Sequence, residues 1–384
     1  MKPLDKNRIY LDHNATTEPR FSAKKAVKKA LNYWGNPSSI HQDASKAKNL
    51  LWSARQNLSH FLNCHPLEII FTSGASESNN YAIKGLFQVQ NKTRNELIIS
   101  SVEHPSVLYT ADFLSQKGFK VHKIPVSKQG FLDEAFFEKH LSEKTLLVSI
   151  MSANNETGVI FPIEKWVKKI HEKGALFHSD MVQFLGKRKV DLKKLEIDLA
   201  SFSAHKCYSL QGCGILYCKK GIMLESLIHG GPQERQRRAG TENLTGIVAF
   251  GSVAKEGDII LKKTQKLKSL RDNMEKYILS HLKKVEIIGH KALRLDNTSC
   301  LCISGIHGET LLMNLDLKGI SVSVGSACGS GKLKSSSVLT AMGFTQKEAF
   351  SSIRISLGIE TTKEQIEYFQ KALVESVNRL RNLE

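Results

Sequence analysis

Short apolar runs alternate with amphipathic stretches between Leu67 and Lys220. Seven runs have the length and composition of strands: LEIIFTS, ELIISS, KVHKIPV, TLLVSIMSA, ALFHSD, LASFSAHK and GILYCKK. Stretches with a helical spacing of apolar residues, such as PIEKWVKKIHEKG, lie between them. Strands joined by crossover helices pair in parallel and are covered by helices on both faces. The pattern therefore predicts an α/β domain with a mostly parallel sheet.

The pattern changes after Gly251. A long Lys-rich helix (KEGDIILKKTQKLKSLRDNMEKYILSHL) precedes a strand-like stretch around TSCLCISGI, a helix at ETLLMNLDLKG and a final amphipathic helix from Thr362. This order predicts a second, smaller α+β domain. We expect residues 14–255 to form the large domain, and residues 1–13 with 256–384 to form the small one.

The composition is that of a folded protein. The chain has 384 residues, of which 41% are hydrophobic and 24% charged, and this excludes disordered, collagen-like and coiled-coil classes. No apolar run approaches the roughly 20 residues of a membrane helix, and the first residues carry charges where a secretory signal has its apolar stretch. Seven cysteines, an odd number spread thinly, predict reduced thiols in a cytoplasmic protein.

The charge is strongly positive. There are 55 Lys and Arg residues against 37 Asp and Glu residues, so the net charge is +18. The lysines form short clusters on amphipathic stretches without interleaved aromatic residues, as on solvated helix faces. This distribution disfavours direct nucleic-acid binding and leaves an acidic partner or a Lys-rich proteome as explanations.

Glycine and polar residues cluster where the strands end, which is where an α/β sheet binds its ligand. In FTSGASESNN, a strand delivers Gly74, Ala75 and Ser76 to the start of a helix, where backbone N–H groups and a hydroxyl attract a phosphate. The stretch has neither a Walker lysine nor a G-x-G-x-x-G pattern, which disfavours a nucleotide. Taken alone, it is better interpreted as an ordinary serine helix cap with a glycine turn.

Two further strands end in groups that suit pyridoxal phosphate (PLP). LASFSAHK ends in Ser203, His205 and Lys206, and ALFHSDMVQ places Asp180, followed by Gln183, 26 residues before Lys206. A lysine at a strand end commonly extends to solvent, but a desolvated lysine can form a Schiff base. A carboxylate one crossover earlier can hold the pyridinium nitrogen, so the combination predicts a PLP site.

Motifs over residues 10–358 identify a family. YLDHNATT, GNPSSIH, EIIFTSGASESNN, EHPSVL, VSIMSANNETG, FHSDMVQFLGK, SAHK, GGPQERQRRAGTEN, SVGSACGSG and IRISLG occur in this order. Together they closely resemble the cysteine desulfurases of the NifS/IscS type, in the class V branch of the PLP-dependent enzymes of fold type I. The resemblance implies this fold, with a large PLP-binding domain and a smaller α+β domain.

The resemblance also implies roles for individual residues. Lys206 matches the lysine that holds the PLP aldehyde, and Asp180 matches the partner of the ring nitrogen. His104 looks like the imidazole that stacks on the ring and handles protons, and Arg354 looks like the fork that binds the substrate carboxylate. The remaining matched positions are Asn155 and Gln183 around the phenolic oxygen, with Asn155 also near the substrate, the phosphate contacts Ala75, Ser76, Ser203 and His205, and Thr241, which reaches the phosphate from the other subunit of a homodimer.

Cys328 decides the reaction. It lies in the Gly/Ser-rich stretch VGSACGSGKLKSSSVL, which predicts an exposed, mobile thiol, whereas the apolar neighbours of Cys300 and Cys302 predict core strand positions. By the resemblance, Cys328 takes sulfur from L-cysteine as a persulfide and leaves alanine. The spacing of Cys207, Cys213 and Cys218 matches no common zinc site, so we expect no metal there.

The leading hypothesis is therefore a PLP-dependent cysteine desulfurase that passes sulfur to an iron–sulfur scaffold or a tRNA-thiolation protein. One alternative keeps PLP without persulfide chemistry: an aminotransferase or a kynureninase-like lyase of the same class. A third hypothesis is a noncatalytic basic scaffold on the same fold. The set Lys206, Asp180, His104 and Arg354 argues against the scaffold, because a decayed enzyme would have lost at least one of them.

Overall fold

The computed structural model describes residues 8–89, 93–325 and 335–382, and these form twelve strands and fourteen α-helices. The strands are β1 (Ile9–Tyr10), β2 (Ile69–Thr72), β3 (Glu96–Ser100), β4 (Lys120–Ile124), β5 (Thr145–Ser149), β6 (Leu176–Asp180), β7 (Leu199–Ser203), β8 (Gly214–Cys218), β9 (Val285–Ile287), β10 (Thr298–Ile303), β11 (Ile320–Ser321) and β12 (Ser352–Ser356). The helices are α1 (Phe21–Ala30), α2 (Gln42–Leu62), α3 (Ala75–Val89), α4 (Pro105–Gln116), α5 (Glu134–His140), α6 (Glu164–Glu172), α7 (Leu192–Leu195), α8 (Gln233–Gln236), α9 (Leu244–Ala254), α10 (Gly257–His281), α11 (Gly308–Leu317), α12 (Ser337–Ala341), α13 (Gln346–Phe350) and α14 (Lys363–Arg381).

Seven strands form the central sheet in the order β2-β8-β7-β6-β5-β3-β4. Strand β8 is antiparallel to both of its neighbours, and the other pairs are parallel. This confirms the predicted α/β class and the mostly parallel sheet. Strands β2, β3, β5, β6 and β7 consequently run in one direction, and their carboxyl ends meet at the same edge.

Successive residues of a strand point to opposite faces of the sheet, so both faces of this sheet present apolar side chains. Helices cover both faces. In β2, Ile69 and Phe71 pack into one hydrophobic cluster, while Ile70 packs into another. The second cluster also contains Tyr81 of α3 and Val107 of α4. Strands β3, β5, β7 and β8 are buried over their full length for this reason, whereas the edge strand β4 is partly exposed.

The C-terminal elements form a second layered unit. Strands β9, β10 and β12 make an antiparallel sheet, and β1 pairs with β11 in parallel. Strand β10 joins the two cores, since Cys300 and Cys302 pack into the large cluster while Leu301 and Ile303 pack into a cluster with Leu11. This confirms Cys300 and Cys302 as core strand residues, and the division of the chain near residue 255 stays a prediction.

The N-terminal segment connects this second unit to the central sheet. Residues after β1 continue beside β12, where the N–H of Ser356 donates to the carbonyl of Leu11 and the N–H of His13 donates to the carbonyl of Ser356. Asp12 and Asn14 are thereby placed next to the strand that contains Arg354. Across the described parts of the chain, no helix is both long and apolar enough to cross a lipid bilayer.

Candidate active site

A cavity of about 600 Å³ opens where the carboxyl ends of the parallel strands meet. Its lining comes from segments that follow β2, β3, β5, β6 and β7, together with the N-terminal segment and β12. Ten residues selected from the sequence line it: Ala75, Ser76, His104, Asn155, Asp180, Gln183, Ser203, His205, Lys206 and Arg354.

One end of the cavity is the N-terminus of α3, which begins at Ala75 directly after β2. The first N–H groups of a helix have no partner within the helix, so they are available to an anion. The backbone packs closely here, since a Cβ on Gly214 would lie 2.6 Å from the Cα of Gly74. His205 is neutral at this end, because burial and the nearby Lys206 lower its pKa to about 4. The geometry suits a phosphate held by N–H and hydroxyl donors.

Asp180 ends β6 and is held by donors on both oxygens. The amide of Asn79 donates to Asp180 Oδ2 over 2.7 Å, and the backbone N–H of Val182 donates to Oδ1 over 3.0 Å. The same Asn79 nitrogen lies 2.9 Å from the hydroxyl oxygen of Ser106 and donates to it. Because Asp180 and Asn79 are both buried, this arrangement fixes the carboxylate at one place in the cavity.

His104 precedes α4 and has a defined tautomer. Its Nδ1 accepts from the backbone N–H of Ser106 at 3.1 Å and lies 2.8 Å from the Ser106 hydroxyl oxygen. A nitrogen that accepts a backbone N–H carries no proton, so the proton of the neutral ring is on Nε2. Burial lowers the pKa of His104, with Asp180 opposing and Lys206 adding to that effect. The ring is therefore neutral near pH 7 and presents an N–H.

Lys206 follows β7 within a short 3-10 turn. Its ammonium donates to the carbonyl of Asn14 over 2.7 Å and to the carbonyl of Ala15. Burial and the Arg354 charge lower its pKa from 10.5 to about 8, although Asp12 and Asp180 oppose this. A substantial fraction of this amine is uncharged near neutral pH, which is what a nucleophilic lysine requires.

Arg354 reaches the cavity from β12. Its Nη2 pairs with Asp12 Oδ1 at 2.6 Å, and its Nη1 donates to the carbonyl of Asn155 over 3.0 Å. Its Nε is buried without a hydrogen-bond partner among the described residues. A buried guanidinium with an unpaired N–H can bind a further acceptor, such as a carboxylate.

The residues present fit PLP. Lys206 would hold its aldehyde, Asp180 its ring nitrogen, and the N-terminus of α3 with Ser203 and His205 its phosphate. The lowered pKa of Lys206 and the unpaired Nε of Arg354 are the features that an amino-acid-binding PLP site requires.

One selected residue is not part of this cavity in the single chain. Thr241 is exposed and lies outside the lining. Cys328 lies outside the described residues. The other six cysteines are buried, and burial raises the pKa of each thiol, so none of them is a ready nucleophile. Cys207, Cys213 and Cys218 have the structural positions expected of them.

Four residues that had no predicted role hold the side chains of the cavity in position. Asn14, Asn79 and Lys187 each bond a lining residue, and Ser106 bonds His104. Their positions were visible in the motifs YLDHNATT, SESNN, EHPSVL and FLGK. The partners of Asn14 and Asn79 were not, because Lys206 and Asp180 lie more than 100 positions away from them along the chain. The partners of Ser106 and Lys187 are only two and four positions away, but the motifs do not show that these side chains meet.

Comparisons with known proteins agree with this geometry. The family model for aminotransferase class-V matches residues 9–369. A cysteine desulfurase, IscS, of Clostridium botulinum is 39% identical over 98% of this chain and 96% of its own length. Cysteine desulfurase 2 of Trichormus variabilis is 41% identical over 97% of this chain and 94% of its own. A solved NifS-like protein is 36% identical and superimposes with a TM-score of 0.91, covering 97% of this chain and all of that one.

Proposed function

The chain belongs to the aminotransferase class-V family, and from this premise we propose that it is a PLP-dependent cysteine desulfurase that passes sulfur to Cys328. The observation that carries the proposal is the lowered pKa of Lys206 in a cavity that also contains Asp180 and Arg354. The similarity to cysteine desulfurases extends over nearly the whole chain. It therefore includes every segment that lines the cavity.

PLP, when bound, supplies a ring that stabilises negative charge at the Cα of an attached amino acid. Asp180 keeps the ring nitrogen protonated, and Asn79 keeps Asp180 in place. Arg354 binds the carboxylate of L-cysteine through its free N–H, while Asp12 and the carbonyl of Asn155 hold its other nitrogens. These contacts fix the position of the substrate Cα.

Proton transfer falls to two groups. The uncharged amine of Lys206 takes the Cα proton, because its lowered pKa leaves it able to accept one near neutral pH. His104 is neutral and has its proton on Nε2, so the imidazole can donate this proton to a group in the cavity.

Sulfur transfer requires a thiolate. The Cys328 sulfur attacks the substrate sulfur, the S–Cβ bond breaks, and an S–S bond forms, so that L-cysteine and one thiol give L-alanine and a persulfide without another oxidant. The raised pKa values of the six buried cysteines support Cys328 as the acceptor. An iron–sulfur scaffold or a tRNA-thiolation protein in the cytoplasm would then receive the sulfur.

We further propose a homodimer in which Thr241 completes the phosphate site of the second subunit. The exposure of Thr241 supports this, since it leaves the hydroxyl free to contact another chain. Apolar side chains support it too, because Trp34 is 85% and Ile40 fully exposed in the single chain. Sedimentation of the purified protein tests the dimer.

The main experiment treats PLP-loaded protein with L-cysteine and measures alanine and protein-bound sulfur by mass spectrometry. The parent should form alanine and gain one sulfur on Cys328, and Cys328→Ser should lose at least about tenfold of both. Cys302→Ser is the matched control, because a serine can still donate to the Glu348 carbonyl as Cys302 does. Equal rates for the parent and Cys328→Ser would contradict the role of Cys328.

The same experiment separates the alternatives. Visible PLP absorbance without sulfur loading would favour an aminotransferase or a kynureninase-like lyase. A protein that stays colourless with added PLP would favour the noncatalytic scaffold.

A further inference from the structure

Lys187 is a buried lysine that has no role in the proposed reaction. It lies between β6 and α7, and only 6% of it is exposed. Its ammonium donates to Gln183 Oε1 over 2.5 Å and to Asn14 Oδ1 over 2.8 Å. No carboxylate pairs with it among the described residues. A charged group is costly to bury in this way, so a lysine here requires an explanation beyond packing.

The ammonium determines which way the amide of Gln183 points. Lys187 Nζ donates to Gln183 Oε1, so the Gln183 oxygen faces Lys187 and the Gln183 nitrogen lies on the other side. That nitrogen donates to the carbonyl of Asn14 over 3.0 Å, and Gln183 also lines the cavity. The second N–H of the amide has no protein acceptor among the described residues and remains for a ligand in the cavity.

Asn14 is fixed by the same ammonium. Its side-chain oxygen accepts from Lys187 and from Asn297, so its amide nitrogen faces the carbonyl of Asn155 at 3.1 Å and the hydroxyl of Thr298 at 2.9 Å. Its own carbonyl accepts from Lys206. Lys187 consequently orients two side-chain amides, that of Gln183, which lines the cavity, and that of Asn14, which donates to the carbonyl of Asn155.

We propose that Lys187 is a positioning residue that fixes the Gln183 amide with its nitrogen toward the cavity, as a donor to the anionic phenolic oxygen of PLP. The inference rests on the proposed binding of PLP at Lys206. With a residue that cannot donate at position 187, Gln183 can turn over and present its oxygen, which repels an anionic oxygen. Lys187 acts through Gln183 and does not itself touch the ligand.

This role predicts opposite effects on the fold and on the site. Burial, with Lys206 and Arg354 nearby, lowers the pKa of Lys187 far below 10.5, which shows that its charge is unfavourable there. Methionine has a similar length and no charge, so Lys187→Met should raise or preserve the melting temperature of the apoprotein. If Lys187 served only packing, its replacement would not both raise the melting temperature and weaken ligand binding.

The test measures the dissociation constant of PLP and its visible absorbance for the parent, Lys187→Met, Gln183→Ala and the double variant. We expect Lys187→Met to raise the dissociation constant of PLP about three- to tenfold, as loss of one hydrogen bond would. The pH at which the visible absorbance band of bound PLP is half converted should also move upward. Asp12, Asp180 and Arg354, the other charged groups around Lys206, are the same in all four proteins, and the double variant contains the same loss of the Lys187 side chain as Lys187→Met does. In the Gln183→Ala background the Lys187→Met change should have almost no effect.

Two results would overturn the inference: an unchanged dissociation constant and band in Lys187→Met, or an equal effect with and without Gln183. Lys187→Gln provides a second variant, because its amide both donates and accepts and should give an intermediate constant. If Lys187→Met and Lys187→Gln both fail to fold, the lysine is structural and the inference is wrong. A parent protein that forms no PLP band would instead refute the proposed function.

Discussion

Two groups of residues in and around the cavity are organised in different ways. The acid cluster consists of Asn79, Glu103, His104, Ser106 and Asp180. The basic cluster consists of Asp12, Asn14, Lys187, Lys206 and Arg354. In the acid cluster, neutral amides, hydroxyls and N–H groups bond both oxygens of Asp180, the imidazole of His104 and one oxygen of Glu103. In the basic cluster, three cations share one carboxylate and several carbonyls.

The difference shows how each group contributes. The hydrogen bonds of the acid cluster hold each side chain in one orientation, and neutral donors face the negative charge of Asp180. The basic cluster retains uncompensated positive charge. Burial, together with the charge of Arg354, lowers the pKa of Lys206, and the Nε of Arg354 keeps an unpaired N–H. Changes in the basic cluster should therefore alter ligand binding and reactivity most, and changes in the acid cluster should have smaller effects.

Replacing Lys206 should have the largest effect. Lys206→Ala removes the amine that holds the aldehyde and accepts the Cα proton, so we expect alanine formation to fall about a thousandfold or more and PLP to be lost on denaturation. Exposed Lys189 gives a matched control, and Lys189→Ala should behave as the parent does. Covalent PLP retained by Lys206→Ala would show that another group binds it.

Arg354→Lys should have the next largest effect. The guanidinium is held by Asp12 and the Asn155 carbonyl in one orientation, whereas an ammonium is a single point charge. We expect the KM for L-cysteine to rise about tenfold or more, with a smaller change in kcat. Steady-state kinetics measure this, and an unchanged KM would mean that Arg354 does not bind the carboxylate.

The rate at which apoprotein takes up PLP should depend on pH through Lys206. Only the uncharged amine reacts, and its pKa is lowered to about 8, so the rate should increase with pH and reach half of its maximum near pH 8. Stopped-flow absorbance at low PLP concentration measures this. A midpoint near that of an ordinary lysine would contradict the effect of the basic cluster.

Asn79→Ala tests the acid cluster. The variant leaves Asp180 Oδ2 and the Ser106 hydroxyl without their shared donor, so we expect kcat to fall about threefold with little change in KM. Asn378→Ala, at an exposed position of α14, is the control. A loss as large as that of Arg354→Lys would remove the distinction between the two clusters.

Glu103→Gln should have the smallest effect, confined to stability. Burial raises the pKa of Glu103 from 4.5 to about 8. Its contribution to the free energy of unfolding is therefore complete below the pKa of the unfolded chain and is lost as the pH rises through 8. Glutamine stays neutral, and the melting temperature of Glu103→Gln relative to the parent should therefore increase between about pH 6 and about pH 9. Thermal denaturation at both pH values checks this, and a constant difference would contradict it.

Much of the fold and of the cavity was predictable from sequence. The strand-length apolar runs predicted the central sheet, since fully buried parallel strands need continuous apolar residues. The residues at the strand ends predicted the cavity, because parallel strands end at one edge. Ala75, Asp180, Ser203 and Lys206 were found this way. Asn79 and Lys187 were not, because their importance depends on partners that only folding brings near.

Sequence alone thus determined which residue types stand at the ends of strands, and with them the class of fold, the family and the cofactor that suits the site. Tertiary structure alone decided the charge state of Lys206, the tautomer of His104 and the orientation of the Gln183 amide. The physical reason is that the order of residues dictates local pattern and periodicity. Protonation and amide orientation depend on burial and on hydrogen-bond partners from distant segments, which exist only in the folded chain.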